Sequence, residues 1–180
     1  TVHHARGVDT TRSHDRSGFD DAVRAAEQSD VVVMFLGEEA ILSGEAHCRA
    51  DIALPGNQEA LIDALAATGK PLVLVLMTGR PLALERVVPK VHAVVCAWHP
   101  GSLGGPAIAD VLFGVESPSG KLPVTFPRVT GQIPIYYSHK HGGKPGTPET
   151  FVHIDDIQAR APQLSVGNTS FHFDVHYSPL

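Results

Sequence analysis

A three-layer α/β sandwich with a mostly parallel sheet, one antiparallel edge strand and a long irregular C-terminal segment is the fold this sequence predicts. Three observations carry it. Apolar, β-branched runs occur at 31–36, 72–77 and 93–97 without alternating polar positions, the texture of strands covered on both faces. Stretches of helical periodicity precede, separate or follow those runs, as in a layered α/β domain. A proline-broken strand, Lys121 to Pro127, then ends the pattern; proline suits a sheet edge because it donates no ladder hydrogen bond.

The elements follow in order. Phe19 to Gln28 sets Phe19, Ala22, Val23 and Ala26 on one helical stripe, and Asp30 starts the first strand. Asn57 to Thr68 aligns Ala60, Leu61, Ala64 and Leu65, with Pro55 ahead of it and Gly69 at the usual C-terminal position. Gly104 to Phe113 groups Ile108, Val111 and Leu112 and stops at Gly114. Residues 138–180 keep no sustained period and are rich in Gly, Pro, His and Thr. So long a patternless stretch is uncommon inside a compact domain, and is expected as a functional surface loop or as a segment that packs on a partner. The domain reading is a sandwich over 1–137 and a loop-rich extension over 138–180, the latter the most mobile part.

A length of 180 residues suits one core. No run approaches the ~20 apolar residues of a membrane span, so no membrane partner is expected. A net charge of -5 lacks the basic field that holds a phosphate backbone, which argues against nucleic acid. Cys48 and Cys96 fall outside zinc or redox spacings and are expected as free thiols. Thr1 to Asp9 contains no apolar h-region, so no signal peptide is read on the chain.

Ligands of open parallel sheets bind beyond the carboxyl ends of the strands. Three segments lie there: Gly37 to Arg49, with Glu38, Glu39, Glu45 and His47; Thr78 to Pro81, with Arg80; and Trp98 to Gly105. Together they form an acidic, glycine-flanked rim with an aromatic platform. Loop carboxylates are usually just hydrated, but one beside a tryptophan in a strand-end cleft can have its pKa raised by desolvation, as a general acid near neutral pH requires. Other motifs fail. Gly101, Gly104 and Gly105 miss the dinucleotide spacing, and Pro100 replaces the first glycine of a hydrolase elbow at Ser102, leaving a capping serine. Ser119-Gly120-Lys121 precedes a strand rather than a helix. His139 and His141 have no Cys or carboxylate cluster at ligand spacing and read as a solvated loop. No cofactor and no metal are expected.

The sequence Ala22-Val23-Arg24-Ala25-Ala26 leads to Ser29-Asp30-Val31-Val32-Val33, followed by Gly37-Glu38, Ser43-Gly44-Glu45-Ala46 with Arg49, and Leu54-Pro55-Gly56-Asn57-Gln58. Thr68-Gly69-Lys70-Pro71, Gly79-Arg80-Pro81-Leu82 and Gly104-Gly105 with Ala109 to Gly114 come next, then Pro118 to Pro123 and Gln132 to Tyr137. In this order the motifs resemble the C-terminal α/β sandwich domain of glycoside hydrolase family 3, in its periplasmic bacterial β-glucosidase branch, from about Ala5 to Leu180. The resemblance implies retaining hydrolysis of β-glucosides through a covalent glycosyl-enzyme. The nucleophilic aspartate would lie on a preceding N-terminal (β/α)8 barrel, and the acid/base glutamate on a loop of the sandwich domain.

Glu45 matches that glutamate, with Glu38 the second choice. A proton donor that later becomes a base needs a tunable pKa and a mobile approach. Trp98, Arg49 and Arg80 are the implied substrate-binding residues. Arg49 is equally readable as a loop-stabilising partner of Asp51 or Glu45, and Trp98 as ordinary packing at a strand end. With the nucleophile elsewhere, the chain resembles a separate piece of its parent. It is expected to have little activity alone, since retention requires two carboxyls about 5–5.5 Å apart. A periplasmic or secreted location follows from the resemblance only. Two other readings stand beside it: a non-catalytic carbohydrate-binding or interaction module using Trp98, Tyr136 and Tyr137, and a flavodoxin-like nucleotide binder, which would lack its phosphate loop.

Overall fold

The computed structural model describes residues 1–138 and 140, and the backbone of 151–152 and 172–173. Its elements are α1 (Phe19–Glu27), β1 (Val32–Gly37), α2 (Gln58–Ala66), β2 (Leu72–Met77), β3 (Ala93–Cys96), α3 (Gly104–Leu112), β4 (Phe151–Val152) and β5 (His172–Phe173). Asp20 and Asp21 occupy the first turn of α1, where the positive end of the helix dipole favours them. The same helix turns Phe19, Ala22 and Ala26 inward.

β1, β2 and β3 form a parallel sheet in that order, with Val32 opposite Leu72, Gly37 opposite Met77, and Leu76 opposite Cys96. Met34, Leu36, Leu72, Leu74 and Leu76 share one core with Phe19, Ala22 and Ala26 of α1 and Leu61, Ile62 and Leu65 of α2. Each such large side chain contributes roughly 1.5–3 kcal/mol of burial. The α/β fold class therefore stands, and the three principal strands begin and end within about a residue of the apolar runs.

Burial on both faces holds for the central strand and not for its neighbour. Val75 of β2 is fully buried, whereas Val33 and Phe35 on the same face of β1 remain 40% and 56% exposed. Among the described residues, β2 is flanked on both sides, while β1 pairs on one edge only.

The expected antiparallel edge strand over 121–127 does not form. Pro123 and Pro127 withhold two ladder donors. Leu122 and Val124 stay exposed, while Phe126 joins the core cluster and Pro127 is fully buried. Conversely, two short strands pair in parallel in the stretch read as patternless, Phe151 with His172 and Val152 with Phe173. The remainder of that stretch, with His139 and His141, lies outside the described residues.

The end of β1 is held by an uncommon arrangement. Gly37 has φ of +143°, and a Cβ there would run into the carbonyl of Met77. The fully buried Gln58 then completes the strand end: its carbonyl accepts the Gly37 N–H at 2.7 Å, and its amide donates to Gly37 O (2.8 Å), Thr11 O (3.0 Å) and Pro55 O (3.1 Å). Gln58→Leu is expected to lower stability by about 2–3 kcal/mol, since it orphans buried backbone groups. Denaturant unfolding checks this, and a loss within error would contradict it.

Candidate active site

The loop leaving β1 begins with Glu38, whose side chain is completely buried. Its Oε1 accepts from Arg49 Nη1 at 2.6 Å, and its Oε2 accepts from Thr78 Oγ1 at 2.9 Å and Arg80 Nε at 3.1 Å. This one carboxylate closes the loop leaving β1 on itself through Arg49 and joins it to the loop leaving β2 through Thr78 and Arg80. Arg49 also donates to Ala53 O at 2.9 Å, while Arg80 Nη2 donates to the carbonyls of Leu42 and His47, the latter at 3.0 Å. The two arginines expected to touch substrate have side chains 18% and 19% exposed, and each bonds to more than one group of the protein. Arg49 pairs with Glu38 rather than with Asp51 or Glu45. The Asp51 carboxyl is held below its usual range chiefly by the Ala53 N–H, then by the Thr130 hydroxyl, with the Arg49 charge the smallest contribution.

The two carbonyls bound by Arg80 bracket residues 43–46, so one side chain fastens both ends of a short turn. His47 N–H donates to Gly44 O at 3.1 Å to close it. Glu45 stands on this turn, exposed, with no hydrogen bond or ion pair to the described residues. The third rim carboxylate, Glu39, is bound to Arg12 at 2.7 Å. One of three candidate carboxylates is thus free to exchange a proton with something brought to it.

Trp98 follows β3 half-buried, its ring tilted against Phe126 with centroids 5.8 Å apart. Its carbonyl accepts the Thr78 N–H at 3.2 Å. The ring thus packs in part against the core. Among the described residues, Ala46 (φ +63°) and Trp98 (φ +52°) are the non-glycine residues with left-handed backbone. Each such conformation costs of order 1–3 kcal/mol and concentrates at functional sites; here one lies on the Glu45 turn and the other two residues after β3. Tyr136 and Tyr137 are exposed. Thr78, fully buried, escaped the sequence reading, although a hydroxyl directly after an apolar run was the available signal.

Cys48 is exposed and Cys96 half-buried, both free, and burial pushes the Cys96 thiol up. Since the thiolate is the nucleophile, a raised pKa leaves less of it at pH 8. Cys48 should label first with a thiol reagent, and equal rates would contradict the burial of the β3 end.

The family model described as "Glycosyl hydrolase family 3 C-terminal domain" matches residues 5–178. A periplasmic beta-glucosidase of Salmonella typhimurium is 56% identical over 72% of this chain and 17% of its own length. A lysosomal beta glucosidase of Dictyostelium discoideum is 40% identical over 87% of the chain and 19% of its own, and a beta-xylosidase of Formosa agariphila 39% over 76% and 19%. A crystal structure of beta-glucosidase from Listeria innocua with gluconolactone superposes at a TM-score of 0.67, with 42% identity, over 73% of this chain and 19% of that one. The chain spans about a fifth of the length of these relatives. With its parallel sheet, its strand-end rim and a match over nearly its whole length, the chain belongs to the glycoside hydrolase family 3 C-terminal domain family.

Proposed function

We propose that this chain supplies the general acid/base of a retaining β-glucosidase acting on terminal β-D-glucosyl residues, and that Glu45 is that group. The observation that carries the reading is that Glu45 is the one rim carboxylate without a partner among the described residues, on a turn fastened at both ends by Arg80. Glu38 is fully enclosed by cations and a hydroxyl, which suits it to hold the loops together rather than to meet a substrate. The preference for glucosides over xylosides follows the relative of highest quoted identity, named a beta-glucosidase; relatives named for xylosidase activity also match.

In the first step the Glu45 carboxyl gives its proton to the glycosidic oxygen as that bond breaks, while a carboxylate on an N-terminal (β/α)8 domain forms a bond to the anomeric carbon. In the second, the Glu45 carboxylate takes a proton from water, whose oxygen displaces the enzyme carboxylate with net retention. An exposed glutamate lacks the low-dielectric surroundings that tune an acid, so the covering barrel and sugar supply them. Trp98 offers the apolar face of a sugar an aromatic edge. Export from the cytoplasm belongs to the same proposal, supported by the names of the periplasmic and lysosomal relatives.

This chain by itself is expected to show no turnover of p-nitrophenyl β-glucoside, whereas a longer protein that joins it to its barrel hydrolyses it with retention. Turnover by the chain alone at the rate of a complete family member would overturn the division of labour. Glucose binding by the chain alone, weakened by Trp98→Ala and indifferent to Glu45→Gln, would point instead to a binding module.

A further inference from the structure

Arg80 fastens the ends of the Glu45 turn, and a second contact to the turn lies at Gly79. Gly79 follows Thr78 at the end of β2, and a Cβ on it would fall 2.6 Å from His99 Nε2 and 2.8 Å from Ser43 Cβ, and closer still to Ser43 Oγ. Ser43 is two residues before Glu45, and His99 directly follows Trp98. The loops leaving β1 and β3 therefore meet over the bare α-carbon of Gly79. Gly79 is not among the glycines with positive φ, so its backbone suits alanine and only the space forbids a side chain. The Ser43 hydroxyl is buried at this spot without a hydrogen-bond partner among the described residues. Leaving such a group unsatisfied is costly, and the imidazole nitrogen of the exposed His99 faces the same point.

We propose that Ser43 and His99 form a latch across Gly79, closed by a hydrogen bond from the Ser43 hydroxyl to His99 Nε2, and that this latch positions Glu45. The inference rests on Glu45 being the acid/base. The two groups flank one point and are not hydrogen-bonded in the structure; a small shift of either side chain closes the latch, with the imidazole proton on Nδ1 and Nε2 as the acceptor. Ser43, Gly79 and His99 are positioning residues and touch no reacting atom. Their worth comes from the steep dependence of proton transfer on geometry, where a misplacement of about 1 Å can cost about 100-fold.

The test uses the full-length enzyme and kcat/KM for two substrates: phenyl β-glucoside, whose leaving group needs a proton, and 2,4-dinitrophenyl β-glucoside, whose leaving group does not. Gly79→Ala, Ser43→Ala and His99→Ala are each expected to lose about 10- to 100-fold on the phenyl substrate and little on the dinitrophenyl one. His99→Gln, whose amide oxygen can accept the same hydrogen bond, is expected to recover part of the loss. Equal losses on both substrates, or no loss, in Ser43→Ala and His99→Ala would overturn the latch even if Gly79→Ala did not fold. Glu45→Gln in the same series separates the two failures. If it shows the split and the latch variants do not, the latch alone is wrong; if it shows no split, the acid/base reading falls with it.

Discussion

Glu45→Gln in the full-length enzyme is expected to lower kcat/KM on phenyl β-glucoside by about 10²- to 10⁴-fold, the usual worth of a positioned general acid. The melting temperature should not move, because Glu45 is exposed and bonds to nothing among the described residues that the change would disturb. Steady-state kinetics and a thermal melt check the two halves. An unaltered rate would remove Glu45 from the chemistry. A large fall in melting temperature would mean that the turn depends on the carboxylate for its structure.

Glu38→Ala is expected to act in the opposite way, through stability. It leaves Arg49 and Arg80 facing an emptied site and removes one of the two acceptors of the buried Thr78 hydroxyl, the Arg80 carbonyl remaining at 2.9 Å. Breaking a buried ion pair by removing one partner costs about 3–5 kcal/mol, and the partial exposure of both guanidinium groups keeps this case at the low end, about 3 kcal/mol. For a chain of this size the melting temperature should fall by roughly 6–12 °C. Glu38→Gln, which keeps an acceptor, should cost less. A melting temperature equal to wild type in Glu38→Ala would contradict the view that this node joins the loops leaving β1 and β2.

The contrast between the two glutamates marks the limit of what the chain's letters disclose. Both stand in one polar loop after one apolar run, and nothing local separates them. Their difference arises from Thr78 and Arg80, which reach Glu38 only because β1 and β2 pair with Gly37 opposite Met77. Arg49 read as a substrate-binding residue or as a partner of Asp51 or Glu45, and its pairing with Glu38 became visible only in the closed loop.

β2 was legible in full, since a central strand is apolar on both faces whatever covers it. The exposure of Val33 and Phe35 was not, because a run of apolar residues does not say how many of its faces are covered. At 121–127, β-type residues between prolines suggested pairing, whereas the segment is held by Phe126 against the core and Trp98. Strands of two residues, as at β4 and β5, are too short to show any period. The Ser43, Gly79 and His99 contact joins three loops and leaves no trace in spacing.

Azide rescue of Glu45→Ala in the full-length enzyme tests the acid/base assignment most directly. With 2,4-dinitrophenyl β-glucoside the glycosyl-enzyme still forms, because that leaving group needs no proton, and its hydrolysis becomes slow for want of a base. Azide needs no base and attacks the anomeric carbon from the face that water would use. The account predicts turnover that rises with azide and a β-glucosyl azide product. Indifference to azide, or an α-glucosyl azide, would contradict it.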